Sequence, residues 1–166
     1  MKKLLTITLL VLFLCSYKTS GKFNFSNYGI SALIQDKWIK IEGKYFLHIK
    51  TTFTNYSKDT LVFQAMSCSW QDNYILSSTD YTIEKSFCYR NAPINIILPP
   101  DSNYTRIITL STFKRPLILN PDFITIGIKL TNHNITSIPN KSVAYWTNTL
   151  GLSSIPVIKD PTMALR

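Results

Sequence analysis

Between Phe46 and Cys88, the chain alternates short runs rich in β-branched and aromatic residues with short polar breaks. The run FLHIKTTFTN is separated from the next run, TLVFQAMSCSWQ, by the polar break YSKD. Runs of this length and composition, bounded by turn-forming residues, are typical of β-strands. The pattern predicts that these two runs form an antiparallel hairpin.

The order of apolar and polar residues within each run predicts which face is buried. From Tyr45 to Phe53, strict alternation favours a core face made of Tyr45, Leu47, Ile49, Thr51 and Phe53. His48 has the opposite parity and is expected to point outward. The run Thr60–Trp70 is apolar at both parities, which predicts a central strand that is covered on both faces or closely flanked.

Similar runs continue to Thr147, with strong turn signals such as Pro99–Asn103 and a glycine, Gly127, inside the run FITIGIKLT. Glycine in mid-strand indicates a bulge or a close approach of another group. About eight or nine short strands, with no helix-length pattern, predict an all-β fold, an antiparallel immunoglobulin-like β-sandwich with Greek-key connections. A closed barrel is the alternative. At 166 residues we expect one domain, 28–150, between a tether at 22–27 and a C-terminal tail at 151–166.

The first residues have the pattern of an export signal. Lys2 and Lys3 precede an apolar run that ends at Cys15 and is too short to span a membrane comfortably. One interpretation is a signal peptide at 1–21, cleaved after Gly21. The other is a lipoprotein signal at 1–14, with lipidation of Cys15. Either predicts an exported protein that is periplasmic, secreted or anchored to the membrane by lipid.

Cys68 and Cys88 are the only cysteines beyond this leader. In an oxidising compartment a pair twenty positions apart predicts a disulfide, which would stabilise the fold by about 3 kcal/mol. Two unpaired buried thiols are the alternative. The spacing of these cysteines from His48 and His133 lacks the short ligand pairs of zinc sites, so no metal site is expected.

The formal net charge is +9, and cleavage after Gly21 would leave +6. A moderately basic surface favours contact with anionic envelope polymers or lipid headgroups. The lysines and arginines are scattered singly, without a nucleic-acid-binding motif, so no nucleic-acid partner is expected. Five Asn-x-Ser/Thr sequons are attributed to an Asn- and Ser-rich composition, glycosylation being the alternative; they begin at Asn24, Asn55, Asn103, Asn134 and Asn140.

No catalytic template fits the sequence. It contains no G-x-S-x-G nucleophile motif, no phosphate-binding glycine loop and only two histidines, and most of its nine acidic residues lie in predicted turns. We therefore expect no enzyme activity, no catalytic residues and no cofactor.

Several segments together resemble the small exported bacterial immunoglobulin-like sandwich domains. These segments are NYSKDTLVF, CSW, FCYRN, INIILPPDSNYTRIITL and FITIGIKL. The chain departs from antibody-type domains in lacking a cysteine pair at cross-sheet spacing and a tyrosine corner. The resemblance implies a sandwich fold, and its members include adhesins, carrier modules and inhibitors, so it implies no single function.

Three functional hypotheses follow. The first is a non-catalytic binding module that meets an unknown envelope protein or glycan through loop residues, with Asp72, Asn73, Tyr74, Arg90 and Asn91 as the candidates. The second is a proteinase inhibitor that presents the disulfide-anchored loop Arg90–Pro93. The third is a structural subunit that assembles through an exposed edge strand.

Overall fold

The structure is a computed structural model that describes residues 27–86, 88–116, 123–135, 142–152 and 157–159. The predicted signal peptide, Cys15 and the tether up to residue 26 lie outside these residues. Within the described part of the chain the fold is all-β, with one short 3-10 turn and no α-helix. No helix in this part is long and apolar enough to cross a membrane.

The strands take up the predicted runs of β-branched and aromatic residues. They are β1 (Tyr28–Ile34), β2 (Trp38–Ile41), β3 (Lys44–Asn55), β4 (Leu61–Met66), β5 (Tyr74–Leu76), β6 (Thr82–Ile83), β7 (Pro93–Leu98), β8 (Asn103–Thr112), β9 (Phe123–Ile124), β10 (Ile126–Leu130), β11 (Val143–Trp146), β12 (Leu150–Gly151) and β13 (Val157–Lys159). The 3-10 turn spans Trp70–Asn73, between β4 and β5.

The larger sheet has the order β13-β2-β3-β8-β6, and β1 also pairs with β3. All its pairings are antiparallel except that of β13 with β2. The remaining ladders are β11-β10-β5, β4-β7 and β12-β9, all antiparallel. The Gln64 N–H donates to the Thr131 carbonyl at 3.0 Å, which joins β4 to the end of β10.

Buried side chains of the two groups of strands meet in one core, which gives a sandwich-like arrangement. Phe53 on β3 meets Phe63 on β4 edge-on, with ring centroids 6.1 Å apart. Tyr28 on β1 packs edge-on against Tyr145 on β11 at 5.6 Å. Burying each large apolar side chain contributes about 2–3 kcal/mol, so these contacts hold the layers together.

The parity predicted for β3 is confirmed: Tyr45, Leu47, Ile49, Thr51 and Phe53 are buried. His48 has the opposite parity, remains partly exposed and is hydrogen-bonded through Nδ1 to the Asp36 carboxylate.

One strand prediction was wrong, and a second is correct only in part. β3 and β4 do not form a hairpin, because β3 pairs with β1, β2 and β8, whereas β4 pairs with β7. The polar break 56–60 instead carries the chain from one ladder to the other. β4 is also not covered on both faces: Leu61, Phe63 and Ala65 are buried, and the residues between them are only half-buried.

Within the segment 151–166, assigned from sequence to a tail, the described residues 151–152 and 157–159 contribute to the fold. Leu152 is fully buried, and its carbonyl accepts a 3.3 Å hydrogen bond from the indole N–H of buried Trp38. Beyond it, β13 adds a parallel strand to β2.

Candidate functional site

The predicted disulfide is confirmed. Cys68 and Cys88 are bonded, with Cα atoms 5.9 Å apart. Cys68 follows the end of β4, and Cys88 precedes the loop that enters β7. The bond therefore fixes the start of β7 beside the end of its ladder partner.

Asn91 also holds this loop in place, through side-chain hydrogen bonds. Its side-chain oxygen accepts hydrogen bonds from the Cys68 N–H (3.1 Å) and the Ser69 N–H (3.3 Å), and its amide nitrogen donates to the Ser69 hydroxyl (2.6 Å). The Ala92 N–H donates to the Ser67 hydroxyl at 3.1 Å. Asn91, predicted as an interaction residue, thus has its side chain engaged within the protein, while its neighbour Arg90 is exposed.

The three predicted residues at 72 to 74 have different surroundings. Asp72 is exposed and forms a 2.5 Å ion pair with Lys85; that hydrogen-bonded ammonium holds the pKa of the carboxyl below its ordinary value. Asn73 and Tyr74 are buried. The Asn73 amide donates to the Gln64 carbonyl (3.1 Å) and the Lys129 carbonyl (3.0 Å), so it connects β4 to β10. Of these three, only Asp72 is placed to meet a partner.

β7 has an unpaired outer edge next to the loop that the disulfide and Asn91 hold in place. The Ser67 N–H donates to the Ala92 carbonyl at 2.8 Å. Hydrogen-bonded pairs of an antiparallel ladder recur at every second residue. Ile94, Ile96 and Leu98 therefore direct their main-chain groups toward β4, whereas those of Asn95 and Ile97 point away from it. Among the described residues, no main-chain group bonds to this outer edge.

The edge is also apolar. Ile94 is 40% exposed and Ile97 is 64% exposed, and β7 carries no charged residue. Edge strands of soluble proteins ordinarily carry a charged residue, a proline or a bulge, which prevents pairing with another chain. Pro93, at the first position of β7, is the only such device on this strand. Asn95 and Ile97 are left able to pair with another strand.

Arg106 lies at the neighbouring edge of the other sheet. Its register partner on β3 is Thr51, which is fully buried, so Arg106 has the core-facing parity of β8 and yet is exposed. Its Nε donates to the Tyr104 hydroxyl at 3.1 Å, and its Cζ lies 4.7 Å from the Tyr104 ring centroid and 5.7 Å from that of Trp70. The guanidinium therefore lies at the solvent-exposed margin of the core, over these two rings.

Tyr104 and Trp70 connect this cluster to the core. The Tyr104 ring meets that of Phe63 at 5.7 Å, and Phe63 is the register partner of Ile96 on β7. Trp70 packs edge-on against Tyr74 at 5.8 Å. Burial raises the pKa of Tyr74 to about 12, and its hydroxyl is hydrogen-bonded to that of Thr51 at 2.9 Å.

Sequence reasoning did not select Arg106. The usable signal was the alternation Tyr104, Arg106, Ile108, Leu110, in which a charged residue interrupts a row of core-facing positions. Such an interruption indicates that the core opens to solvent at that row.

Another feature of the described residues is a pocket. A shallow pocket opens on the outer side of β4; its lining is Gln64, Ala65, Met66, Asp72, Asn73, Lys129 and Thr131. No three histidine, cysteine, aspartate or glutamate side chains in the described ranges are grouped to hold a metal ion.

Comparison with known proteins gives distant structural likenesses. No protein-family model and no curated protein matches the sequence. A FixG-related protein from Vibrio parahaemolyticus is 11% identical, with a TM-score of 0.38, over 76% of this chain and 96% of that one. The Northeast Structural Genomics Consortium target SoR45 is 10% identical, with a TM-score of 0.41, over 76% and 87%. A GH20 exo-β-N-acetylglucosaminidase from Vibrio harveyi is 10% identical, with a TM-score of 0.27, and the match covers 74% of this chain but 18% of the enzyme.

Proposed function

We propose that this chain is an exported, non-catalytic binding module with an immunoglobulin-like Greek-key sandwich, and that it binds an extended segment of a protein partner along β7. The observation that carries the proposal is the unpaired, apolar outer edge of β7 beside a loop held by a disulfide. An extended peptide would pair with the outward main-chain groups of Asn95 and Ile97, as in recognition by strand addition.

Export is supported by two independent features. The leader ahead of residue 22 has the charge and apolar length of a signal. The disulfide between Cys68 and Cys88 is of a kind that persists in oxidising compartments. The chain crosses between ladders after β3 and again after β7, which is the type of connection that a Greek-key sandwich requires.

A rigid edge is favourable for binding. The loop 90–92 is fastened both by the disulfide and by Asn91, so the start of β7 is ordered before a partner arrives. Association with a pre-ordered surface loses less conformational entropy. The groups gathered here are main-chain amides, isoleucines, aromatic rings and a guanidinium, which suit binding better than proton transfer.

β7 is a better candidate than the edges of β8 and β1. The free part of the β8 edge carries Arg106, a charge that disfavours strand addition there. β1 is a further edge strand, and among its residues only Leu33 is a largely exposed apolar side chain. β7 combines two exposed isoleucines with an uncharged edge.

Selection of random linear peptides displayed on phage tests the proposal directly. The purified exported form, with its disulfide intact, is the bait. We expect enrichment of extended, β-branched sequences, whose synthetic peptides bind with Kd of about 1–100 μM, a range of about 5–8 kcal/mol. Failure to enrich any sequence above an unrelated bait contradicts the proposal.

Matched proline variants locate the binding edge. Asn95→Pro removes an outward N–H of β7, and Thr105→Pro removes an outward N–H of β8; neither group bonds within the described part of the chain. We expect Asn95→Pro to weaken binding at least about tenfold, roughly 1.4 kcal/mol, and Thr105→Pro, which keeps the Thr105 carbonyl, to weaken it far less. Near-UV circular dichroism checks that both variants fold. Equal binding by all three proteins contradicts the assignment to β7.

Proteinase inhibition is the second candidate. Tyr89 is 94% exposed and Arg90 is exposed, and both lie between the disulfide at Cys88 and the anchored Asn91. An exposed dipeptide held from both sides is the form in which inhibitors present a loop to a protease. Inhibition of trypsin by the wild type, abolished by Arg90→Ala, would favour this function. Absence of inhibition of trypsin-like and subtilisin-like proteases at micromolar protein would exclude it.

Self-association is the third candidate function. The β7 edges of two copies of this chain could pair with each other, which would make the protein a structural subunit. Sedimentation then shows a dimer that Asn95→Pro converts to a monomer. A monomeric wild type at micromolar concentration contradicts this alternative and leaves the edge to a different partner.

A further inference from the structure

We propose that Arg106 is a carboxylate-binding residue. It would take an acidic side chain or the C-terminal carboxylate of the segment bound along β7. This inference deepens the proposed function and rests on it for the identity of the ligand.

The guanidinium is held in place by neutral groups. Besides the Tyr104 hydroxyl, its Nη1 donates to the Thr105 carbonyl at 3.4 Å, and the Tyr104 and Trp70 rings flank it. Thr105 is on the outward-bonding parity of β8, so the guanidinium sits at the strand's outer edge. Restricting an arginine in advance lowers the entropy lost when it binds a ligand.

Its charge is left uncompensated by the described residues. The ion pairs in this part of the chain use Lys44, Lys85 and Lys114, and none includes Arg106. Two of its groups, Nε and Nη1, donate within the protein, and the other N–H groups remain for an acceptor. The planar fork of arginine matches the two oxygens of a carboxylate.

Its position connects it with β7. Arg106 contacts Tyr104, Tyr104 contacts Phe63, and Phe63 is paired with Ile96 of β7. The guanidinium is thus connected to β7 through the Tyr104 and Phe63 rings. On the proposed function, a strand added to β7 would pass near it.

A small carboxylate tests the site without any peptide. Acetate is titrated into ¹⁵N-labelled protein at pH 7, with chloride at equal ionic strength as the control, and the Arg106 Nε–H and Trp70 indole N–H signals are followed. We expect saturable shifts with acetate alone. Arg106→Gln should abolish the Trp70 shift and Arg106→Lys should weaken it. Arg115→Gln, which removes another exposed guanidinium beyond β8, should not change it. Linear shifts, or equal shifts with chloride, would overturn the inference and leave Arg106 as a cap on the β8 edge.

Peptides from the phage selection then identify the source of the carboxylate. If Arg106 takes a side chain, a Glu→Gln change in the peptide loses affinity for the wild type but not for Arg106→Gln. If it takes the C-terminus, amidation of the peptide has that effect. Peptides that depend on Asn95 but not on Arg106 contradict this inference and leave the proposed function intact. If acetate gives a saturable shift but the phage selection yields no peptide, this inference is supported and the proposed function is contradicted.

Discussion

Asn55 is the residue on which the connection between the two groups of strands depends. It is fully buried at the end of β3, and its amide nitrogen donates to the carbonyls of Asp59 (2.8 Å), Leu98 (2.9 Å) and Pro99 (3.1 Å). Its side-chain oxygen accepts from the Ser57 N–H and hydroxyl, at 2.9 and 2.6 Å. One amide thereby fixes both the chain leaving β3 and the end of β7. In the folded state this sequon is also closed to glycosylation, because its amide is buried.

Replacing this amide should be costly. Asn55→Ala leaves several buried carbonyl and amide groups without a partner, and we expect it to lower the free energy of unfolding by about 3 kcal/mol. Asn103→Ala is the control, since Asn103 is exposed and accepts one hydrogen bond from Thr54; we expect a change below about 0.5 kcal/mol. Urea denaturation measures both. Similar values for the two variants contradict the role given to Asn55.

Tyr74 predicts how stability depends on alkaline pH. Desolvation by burial raises its pKa to about 12, against an ordinary value of 10.0. Between these values the unfolded chain loses the phenol proton and the folded protein keeps it, so stability falls as pH rises, by at most about 1.4 kcal/mol per pH unit. We expect Tyr74→Phe to remove this part of the slope in urea titrations at pH 9–11.5. Tyr56→Phe, at an exposed position, should keep the wild-type slope. Parallel slopes for wild type and Tyr74→Phe contradict the prediction.

For individual strands, the buried face could be predicted from the sequence, but the strand with which each one pairs could not. The alternation along β3 identifies its buried face because side-chain direction is a local property with a period of two residues. The partner of β4 depends on contacts distant in sequence, which a polar break such as 56–60 does not reveal. The sequence of β4 therefore resembles the second strand of a hairpin, although β4 pairs with β7.

Gly127 shows a local prediction that the fold confirms. A Cβ at this position of β10 would lie 2.7 Å from Cγ1 of Ile75 and 3.0 Å from Cε3 of Trp146, so both neighbouring strands approach it closely. We expect Gly127→Ala to destabilise the protein by about 2 kcal/mol, because the packed side chains of Ile75 and Trp146 must move. At Gly29 a Cβ would meet Cε2 of the exposed Tyr56 side chain at 2.9 Å. That ring can move, so Gly29→Ala should cost less than about 1 kcal/mol. The reverse order in thermal denaturation would contradict this explanation.

For the molecule as a whole, the sequence was sufficient to predict the all-β class and the disulfide. The first follows from composition and turn spacing, and the second from the isolation of Cys68 and Cys88. The candidate site was predicted only in part. Arg90 is exposed as expected, whereas Asn73 and Tyr74 are buried, because a polar segment next to a strand can turn inward to satisfy main-chain groups. The free edge of β7 could not be predicted, since it depends on which strands pair.

The central claim is that the outer edge of β7 binds an extended peptide, and amide hydrogen exchange at Asn95 and Ile97 tests it most directly. In the free protein we expect these two amides to exchange quickly, and those of Ile94 and Ile96, which face β4, to exchange slowly. A peptide from the phage selection at saturating concentration should slow Asn95 and Ile97 by about 100-fold or more, corresponding to about 2.7 kcal/mol of protection. Unchanged exchange at these two amides with the peptide bound, or protection that falls on Thr105 and Ile107 of β8 instead, would contradict the account.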